Sequence, residues 1–383
     1  MLDFFASLIG KRVPNCSQVN EIRLQSVIAC PRGRRNWAVL NVMGIAMKKL
    51  VLAAAILAMT AGSTFAADMA VKAMKAPPPA PFDPWDVAFG SAIMNDYIFR
   101  GVTQSNHQPS VAAYFEPRYN VTKDLQLYIG TSAESISFAN RAAAEVDIYG
   151  GIRPTFGAFA FDIGVWGYLY PGGSCADNVV TAFGGFAVPG GGVCPVSTTT
   201  IFLGDGNVMK KNVSFFEVYG KVNYTINDNW QVGLNEYYTP SFLNSGAWGD
   251  YASITAKYTA PGTVFGTSGV GMYVSGEFGR QFLGTTDAFY GVPGFPLGIK
   301  YADYNTWNIG IGFTYKVFTL DLRYYDTDLS KAGCNVFTSD YSTRNLSPSF
   351  VTPTNPGGFG SSWCGAAGVA KLSADLTAMT NLK

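Results

Sequence analysis

From about residue 84 onward, apolar and polar residues alternate with a period of two. Between Phe159 and Tyr170, the side chains of Phe159, Phe161, Ile163, Val165, Gly167 and Leu169 share one face. Ala160, Asp162, Gly164, Trp166, Tyr168 and Tyr170 share the other. The same rhythm returns at 270–279, 307–315 and 318–325. Such alternation marks strands whose two faces meet different surroundings. It predicts about twelve strands, over roughly 84–99, 108–119, 124–137, 144–154, 158–170, 212–225, 229–240, 250–260, 269–281, 302–315, 318–328 and 368–379. Each is near the ~10 residues that a tilted membrane strand needs. An even count returns the chain to its starting side, as a closed antiparallel barrel requires.

The connections sort by length. Those near Asn120, Thr155, Asn227, Gly262 and Lys316 are short, while 171–211, 282–301 and 329–365 are long. Short turns on one rim and long loops on the other distinguish an outer-membrane barrel from a soluble sandwich, which has no reason to sort its loops. The expected fold is therefore all-β, a transmembrane antiparallel up-and-down barrel over 84–383.

Composition sharpens this picture. Glycine (43), phenylalanine (27) and tyrosine (21) are abundant, and only 14% of residues are charged. Met47-Lys48-Lys49, the apolar run Leu50 to Met59, and Thr64 and Ala66 before a cleavage point read together as a signal peptide over 47–66. Residues 1–46 then read as a mis-assigned upstream extension, and the Pro/Ala-rich 67–83 as a periplasmic tail. Without 1–66 the charge becomes acidic: 27 − 8 = 19 basic against 26 − 2 = 24 acidic residues. An exported, mildly acidic chain is a poor nucleic-acid binder. Four cysteines remain, Cys175, Cys194, Cys334 and Cys364, with no CxxC among them. Pairing 175–194 and 334–364 is the natural expectation, with two other connectivities open.

In the first strand, Trp85, Val87, Phe89, Ile93, Tyr97 and Phe99 share odd parity and are expected to face lipid. Arg100 then points towards the lumen at the outer rim. Tyrosines and tryptophans near strand ends (Tyr97, Tyr119, Tyr168, Tyr170, Tyr224, Trp230, Tyr237, Tyr258, Tyr301, Trp307 and Tyr315) suit the headgroup layers. The stretch DYIFRGVTQSNHQPSVAAYFEPRYN, with Tyr97, Phe99, Arg100, Gly101 and Gln104 followed by Pro109, resembles the opening of the TorF-family porins of bacteria. That resemblance covers about thirty residues and implies a pore in the outer membrane. One departure from barrels of this kind is the ending Thr380-Asn381-Leu382-Lys383, which lacks the usual terminal aromatic and leaves the register of the closing strand open.

By parity, Glu116, Arg118, Glu145, Asp147, Asp162, Glu217, Lys221, Asn235, Lys257, Glu277, Asp321 and Arg323 line the lumen. A lumen of mixed charge with acidic excess suits passive diffusion of small hydrophilic solutes. The alternative is a plugged structural or adhesion barrel, because about twelve strands leave only a narrow interior. A third, weaker reading is a barrel hydrolase using His107, the only histidine. No zinc, dinucleotide or phosphate-loop pattern is present, so no cofactor, metal or enzymatic activity is expected. The expected partners are membrane lipid, lipopolysaccharide and small solutes.

Overall fold

The structure is a computed structural model describing residues 84–173, 181–183, 186–188, 210, 212–287, 298–343, 345–351 and 358–382. The segments expected to be signal peptide and tail, and Cys175 and Cys194, lie outside the described residues.

Twelve antiparallel strands close into one barrel. They are β1 (Trp85–Met94), β2 (Ser110–Thr122), β3 (Leu125–Glu134) and β4 (Glu145–Phe156). Next come β5 (Phe159–Leu169), β6 (Phe215–Thr225), β7 (Trp230–Thr239) and β8 (Gly249–Thr259). The last are β9 (Val270–Leu283), β10 (Tyr304–Tyr315), β11 (Phe318–Thr327) and β12 (Ala367–Thr377). Each pairs with its sequence neighbours, and β1 pairs with β12 in unbroken register from Ala88↔Thr377 to Met94↔Lys371. The register of the closing strand, left open by the sequence, is set by this pairing.

The outer surface is apolar. Every strand turns at least one large apolar side chain outward: Ile93, Phe115, Ile129, Ile148, Ile163, Val218, Leu234, Ile254, Phe278, Ile309, Leu322 and Leu372. A continuous belt of this kind needs hydrocarbon around it, and a closed barrel leaves no backbone edge unpaired within the membrane. At the rim carrying the short turns, aromatic rings pair across neighbouring strands. Trp85 meets Tyr119 at 4.8 Å, Phe159 meets Tyr224 at 4.7 Å, and Trp230 meets Tyr258 at 5.0 Å. This is the periplasmic girdle.

The opposite rim departs from expectation. The first strand ends at Met94, not Phe99, because Asn95 closes it. Asn95 Nδ2 donates to the Gly368 carbonyl at 3.0 Å, and Ala370 N–H donates to Asn95 Oδ1 at 2.6 Å. The chain then turns into the barrel. Tyr97 and Phe99 do not face lipid. Tyr97 donates its hydroxyl to Glu145, and Phe99 packs on Tyr168 at 5.8 Å. Tyr168, Tyr170, Tyr237 and Tyr301 likewise turn inward rather than sitting among headgroups. The physical reason is parity plus loop insertion. These rings stand on the lumen face or in loops, and there they find an apolar cluster to join.

That cluster is the molecule's hydrophobic core, and it fills the outer mouth. It joins Val102, Phe138, Tyr168, Tyr170, Phe215, Phe242, Leu283, Tyr301, Tyr304, Leu329 and Trp363 from six different outer loops and the strand ends beneath them. A helix, α1 (Lys331–Thr338), lies over it, capped by Ser330 Oγ accepting from Gly333 N–H at 3.0 Å. The expected Cys334–Cys364 disulfide is formed, with the two Cα atoms 6.0 Å apart. It ties α1 to a segment that clasps the inserted loop. Thr103 N–H donates to the Trp363 carbonyl at 2.8 Å.

Candidate functional site

The inserted segment, residues 95–109, is built around a very small hairpin. Ile98–Phe99 pairs with Val102–Thr103, and Arg100-Gly101 forms its tip. Both tip residues have positive φ, 48° and 77°, the signature of a type I′ turn. Glycine is needed at 101 on a second count. An added Cβ would lie 2.9 Å from Thr306 Oγ1 and from Thr327 Cβ. Arginine with positive φ is disfavoured, so something must hold it there.

The opposite wall holds it. Arg100 crosses the lumen from the β1 side to four strands on the far side. Its Nη1 donates to Glu217 Oε1 at 2.8 Å and its Nη2 to Glu217 Oε2 at 2.7 Å, a bidentate pair. Nη1 also donates to Gln281 Oε1 at 2.9 Å. The guanidinium sits 4.9 Å from the Tyr237 ring centre and 4.3 Å from that of Tyr251. Its side chain is 6% exposed and that of Glu217 1%. Two charges this buried are tolerated only when each satisfies the other. The plug tip is thus bolted to β6, β7, β8 and β9.

A second clip binds the segment to itself and to the outer lid. Asp96 Oδ1 accepts from Thr103 Oγ1 at 2.5 Å and Ser105 Oγ at 3.0 Å, while its Oδ2 meets His107 Nδ1 at 2.6 Å. His107 Nε2 meets the Ser362 carbonyl at 2.9 Å. Both ring nitrogens therefore face acceptors, which only the imidazolium satisfies fully. The Ser105 hydroxyl serves Asp96 and the Gln108 carbonyl, not His107. The arrangement that a hydrolase needs, nucleophile bonded to base, is not made here.

This clip titrates. The bond to Asp96 raises the His107 pKa above its ordinary value, outweighing partial burial, with help from Ser362 and the charge of Asp340. Burial pushes the Asp96 carboxyl up, but bonds from His107, Thr103 and Ser105 outweigh it and hold it below its ordinary value. A raised histidine stabilises below its unfolded pKa of about 6.5 and stops as pH rises through its folded value. A lowered carboxylate stabilises above about pH 4 and stops on acidification. The clip is expected to be strongest between these limits and to loosen above neutrality. Unfolding of wild type and His107→Gln across pH 4–9 checks this. A difference between them that does not shrink as pH rises would sink it.

Below the plug the lumen is polar and hollow. One chamber of about 440 Å³ is lined by Arg100, Tyr237, Tyr251, Tyr273, Glu277, Asn308, Asp321, Arg323 and Lys371. Another of about 330 Å³ is lined by Tyr97, Tyr114, Glu134, Tyr325, Lys371 and Asp375. Wall charges pair along the wall. Arg118 and Arg153 both bond Glu116, and Arg153 also reaches Asp162. Arg323 bonds Asp321, Asn308 and Ser275. Glu277 accepts from Tyr251 and Asn308. Lys221 lies over the Tyr219 and Tyr237 rings and Lys257 over Tyr273, while Asn235 donates to Ser253. Among the described residues, Arg100 is the charged side chain that reaches from the β1 side to the far wall.

The structure places all twelve candidate residues on the inward parity, but in separate groups. Glu145 and Asp147 stand beside the plug, Glu217 holds its tip, and Glu277, Asp321 and Arg323 line the chambers. Glu116, Arg118, Asp162, Lys221, Asn235 and Lys257 stand elsewhere on the inner wall. Glu134, Arg153, Gln281, Tyr128, Tyr237 and Tyr251 were not among them. Each lies on the inward parity of its strand, so applying the alternation to every polar residue would have found them. Tyr97, Phe99, Arg100, Gly101 and Gln104 all belong to the plug. Gln104 N–H donates to the Tyr97 carbonyl at 2.7 Å, closing the segment.

The model of a bacterial protein family of unknown function, Gcw_chp, matches residues 79–202, about a third of the chain. No curated protein matches significantly. Among solved structures, the chain is similar to an outer membrane channel from Pseudomonas putida F1. That match has 10% identity and a TM-score of 0.39, covering 79% of this chain and 98% of that one. A loop-deletion form of OmpT from Vibrio cholerae matches at 11% identity and TM-score 0.31, over 77% of this chain and 100% of that one. LpxR from Salmonella typhimurium matches at 8% identity and TM-score 0.34, over 76% and 99%.

Proposed function

We propose that this outer-membrane barrel is a channel for passive diffusion of small hydrophilic solutes, closed at its outer mouth by the first loop in the conformation described. One observation carries the reading. The charges of the lower lumen pair along the wall and leave hollow, polar chambers, and closure is confined to the outer mouth, where the inserted first loop packs among the other outer loops. A purely structural barrel could fill its interior throughout with side chains, as small barrels do. Acidic groups exceed basic ones on the inner face, so cations are the favoured solutes. Outside, Arg280 is exposed near the outer end of β9, which supports contact with anionic lipopolysaccharide headgroups. The porin resemblance of the 97–104 stretch points the same way, since that stretch forms the plug.

The second reading, a plugged structural or adhesion barrel, rests on the apolar core in the mouth and the disulfide above it. Planar-bilayer recording separates the two. Wild type should give rare, small, cation-selective steps. A variant with residues 95–108 replaced by a short turn, and still heat-modifiable on gels, should conduct steadily. If neither protein passes current, the channel reading fails and the plugged barrel stands.

A further inference from the structure

Beside the plug, three carboxylates crowd one face of two neighbouring strands. The register sets Glu134 of β3 directly opposite Glu145 of β4, and Asp147 opposite Ser132. One oxygen from each of Glu134, Glu145 and Asp147 lies within 4.8 Å of the other two. Like charges placed opposite each other in a sheet repel. No basic side chain among the described residues forms an ion pair with any of the three.

The bonding is incomplete. Glu145 accepts from the Tyr97 hydroxyl at 2.7 Å and from the Tyr170 hydroxyl at 2.9 Å. Asp147 is 3% exposed, and its Oδ2 accepts from Ser132 Oγ at 3.1 Å. Its Oδ1, and Oε2 of Glu134, are buried with no hydrogen-bond partner. The Trp166 indole N–H lies near Asp147 yet makes no bond of normal geometry. Buried, unpaired carboxylate oxygens are costly unless a positive charge meets them.

We propose that Glu134, Glu145 and Asp147 bind a divalent cation, best Ca²⁺, which fastens the plug to the barrel wall. The donor set is oxygen only, three carboxylates with the Ser132 hydroxyl beside them, and water completes the 6–8 ligands that Ca²⁺ takes. Oxygens sharing one Ca²⁺ at about 2.3–2.6 Å stand up to about 5 Å apart, which accommodates the observed cluster. Thiolate and imidazole, the donors that select zinc, are absent from it. Access exists, because Glu134 lines the 330 Å³ chamber. The ion would act on the plug through Glu145, whose two oxygens hold Tyr97 of the inserted loop and Tyr170 of the loop after β5. This site goes beyond the channel reading and does not depend on it.

The test uses full-length mature protein, refolded in detergent free of lipopolysaccharide and stripped with EDTA. Tb³⁺ luminescence, excited through Trp166 and the neighbouring tyrosines, reports binding, and Ca²⁺ competes for the site. One saturable site displaced by Ca²⁺ is expected, at least tenfold weaker in Asp147→Asn and in Glu134→Gln. Both replacements keep side-chain volume and relieve repulsion, and gel mobility confirms that each barrel is closed. Two results overturn the proposal: no saturable site in wild type, or wild-type affinity kept in both variants, which places the ion elsewhere. A wild type that binds nothing while both variants gain stability would mean that the trio shares a proton instead. Conductance is not read, so failure here leaves the channel question untouched.

Discussion

Replacing Arg100 with alanine is expected to open the outer mouth and to cost about 3–5 kcal/mol of stability. The cost comes from what is left behind. Glu217, almost wholly buried, keeps only the Tyr168 hydroxyl at 3.1 Å as a donor once the guanidinium is gone. The opening comes from the backbone. Arg100 holds a left-handed conformation that a non-glycine residue adopts only under constraint. Without its bonds to Glu217 and Gln281, and its contacts with the Tyr237 and Tyr251 rings, the hairpin tip has no hold on the far wall. Channel open probability should therefore rise steeply in the variant. Arg100→Lys should fall between, since an ammonium cannot make the bidentate pair. Arg100→Met with Glu217→Gln should recover most of the stability, because no charge is stranded. The measurements are planar-bilayer recordings and urea unfolding. Unchanged conductance together with unchanged stability in Arg100→Ala would show that the plug is held by something else.

The second large effect tests the barrel wall. Leu234 and Asn235 are adjacent in β7, near mid-strand. Leu234 points outward and is 56% exposed, whereas Asn235 points inward and donates to Ser253 Oγ at 2.9 Å. Leu234→Arg places a charge in hydrocarbon and should cost about 2–4 kcal/mol. Asn235→Arg places the same charge in the wet lumen, and should cost about 1 kcal/mol for the lost hydrogen bond. One residue of displacement therefore separates the two outcomes. Unfolding of both variants in the same phospholipid vesicles measures it. Equal costs would refute the assignment of faces.

Much of this was legible in the chain. Alternation runs through eleven of the predicted strands with ends close to those observed, because a strand between water and lipid leaves a period-two record in every residue. The Cys334–Cys364 pairing, one of three connectivities the chain left open, was the expected one because both residues fall in one long outer loop, and it is formed. The first strand misled for a physical reason. Tyr97 and Phe99 continue the odd parity of Trp85 to Ile93, so local pattern cannot tell lipid-facing rings from rings that pack inside. What diverts the chain is distant: Glu217 lies 117 residues from Arg100, and Gln281 lies 181. The acidic trio escaped for a related reason. Glu145 and Asp147 stood out by parity, but Glu134 joins them only through the β3–β4 register.

The alternation of faces, the even strand count and the sorting of loops by length were determined by the sequence alone. Each is a repeating, local consequence of which side chains meet hydrocarbon and which meet water. The tertiary structure alone decided that the first loop folds inward, that Arg100 bolts it to the far wall, and that three carboxylates meet beside it. Those depend on which strands closure brings face to face, and no short stretch of chain encodes that.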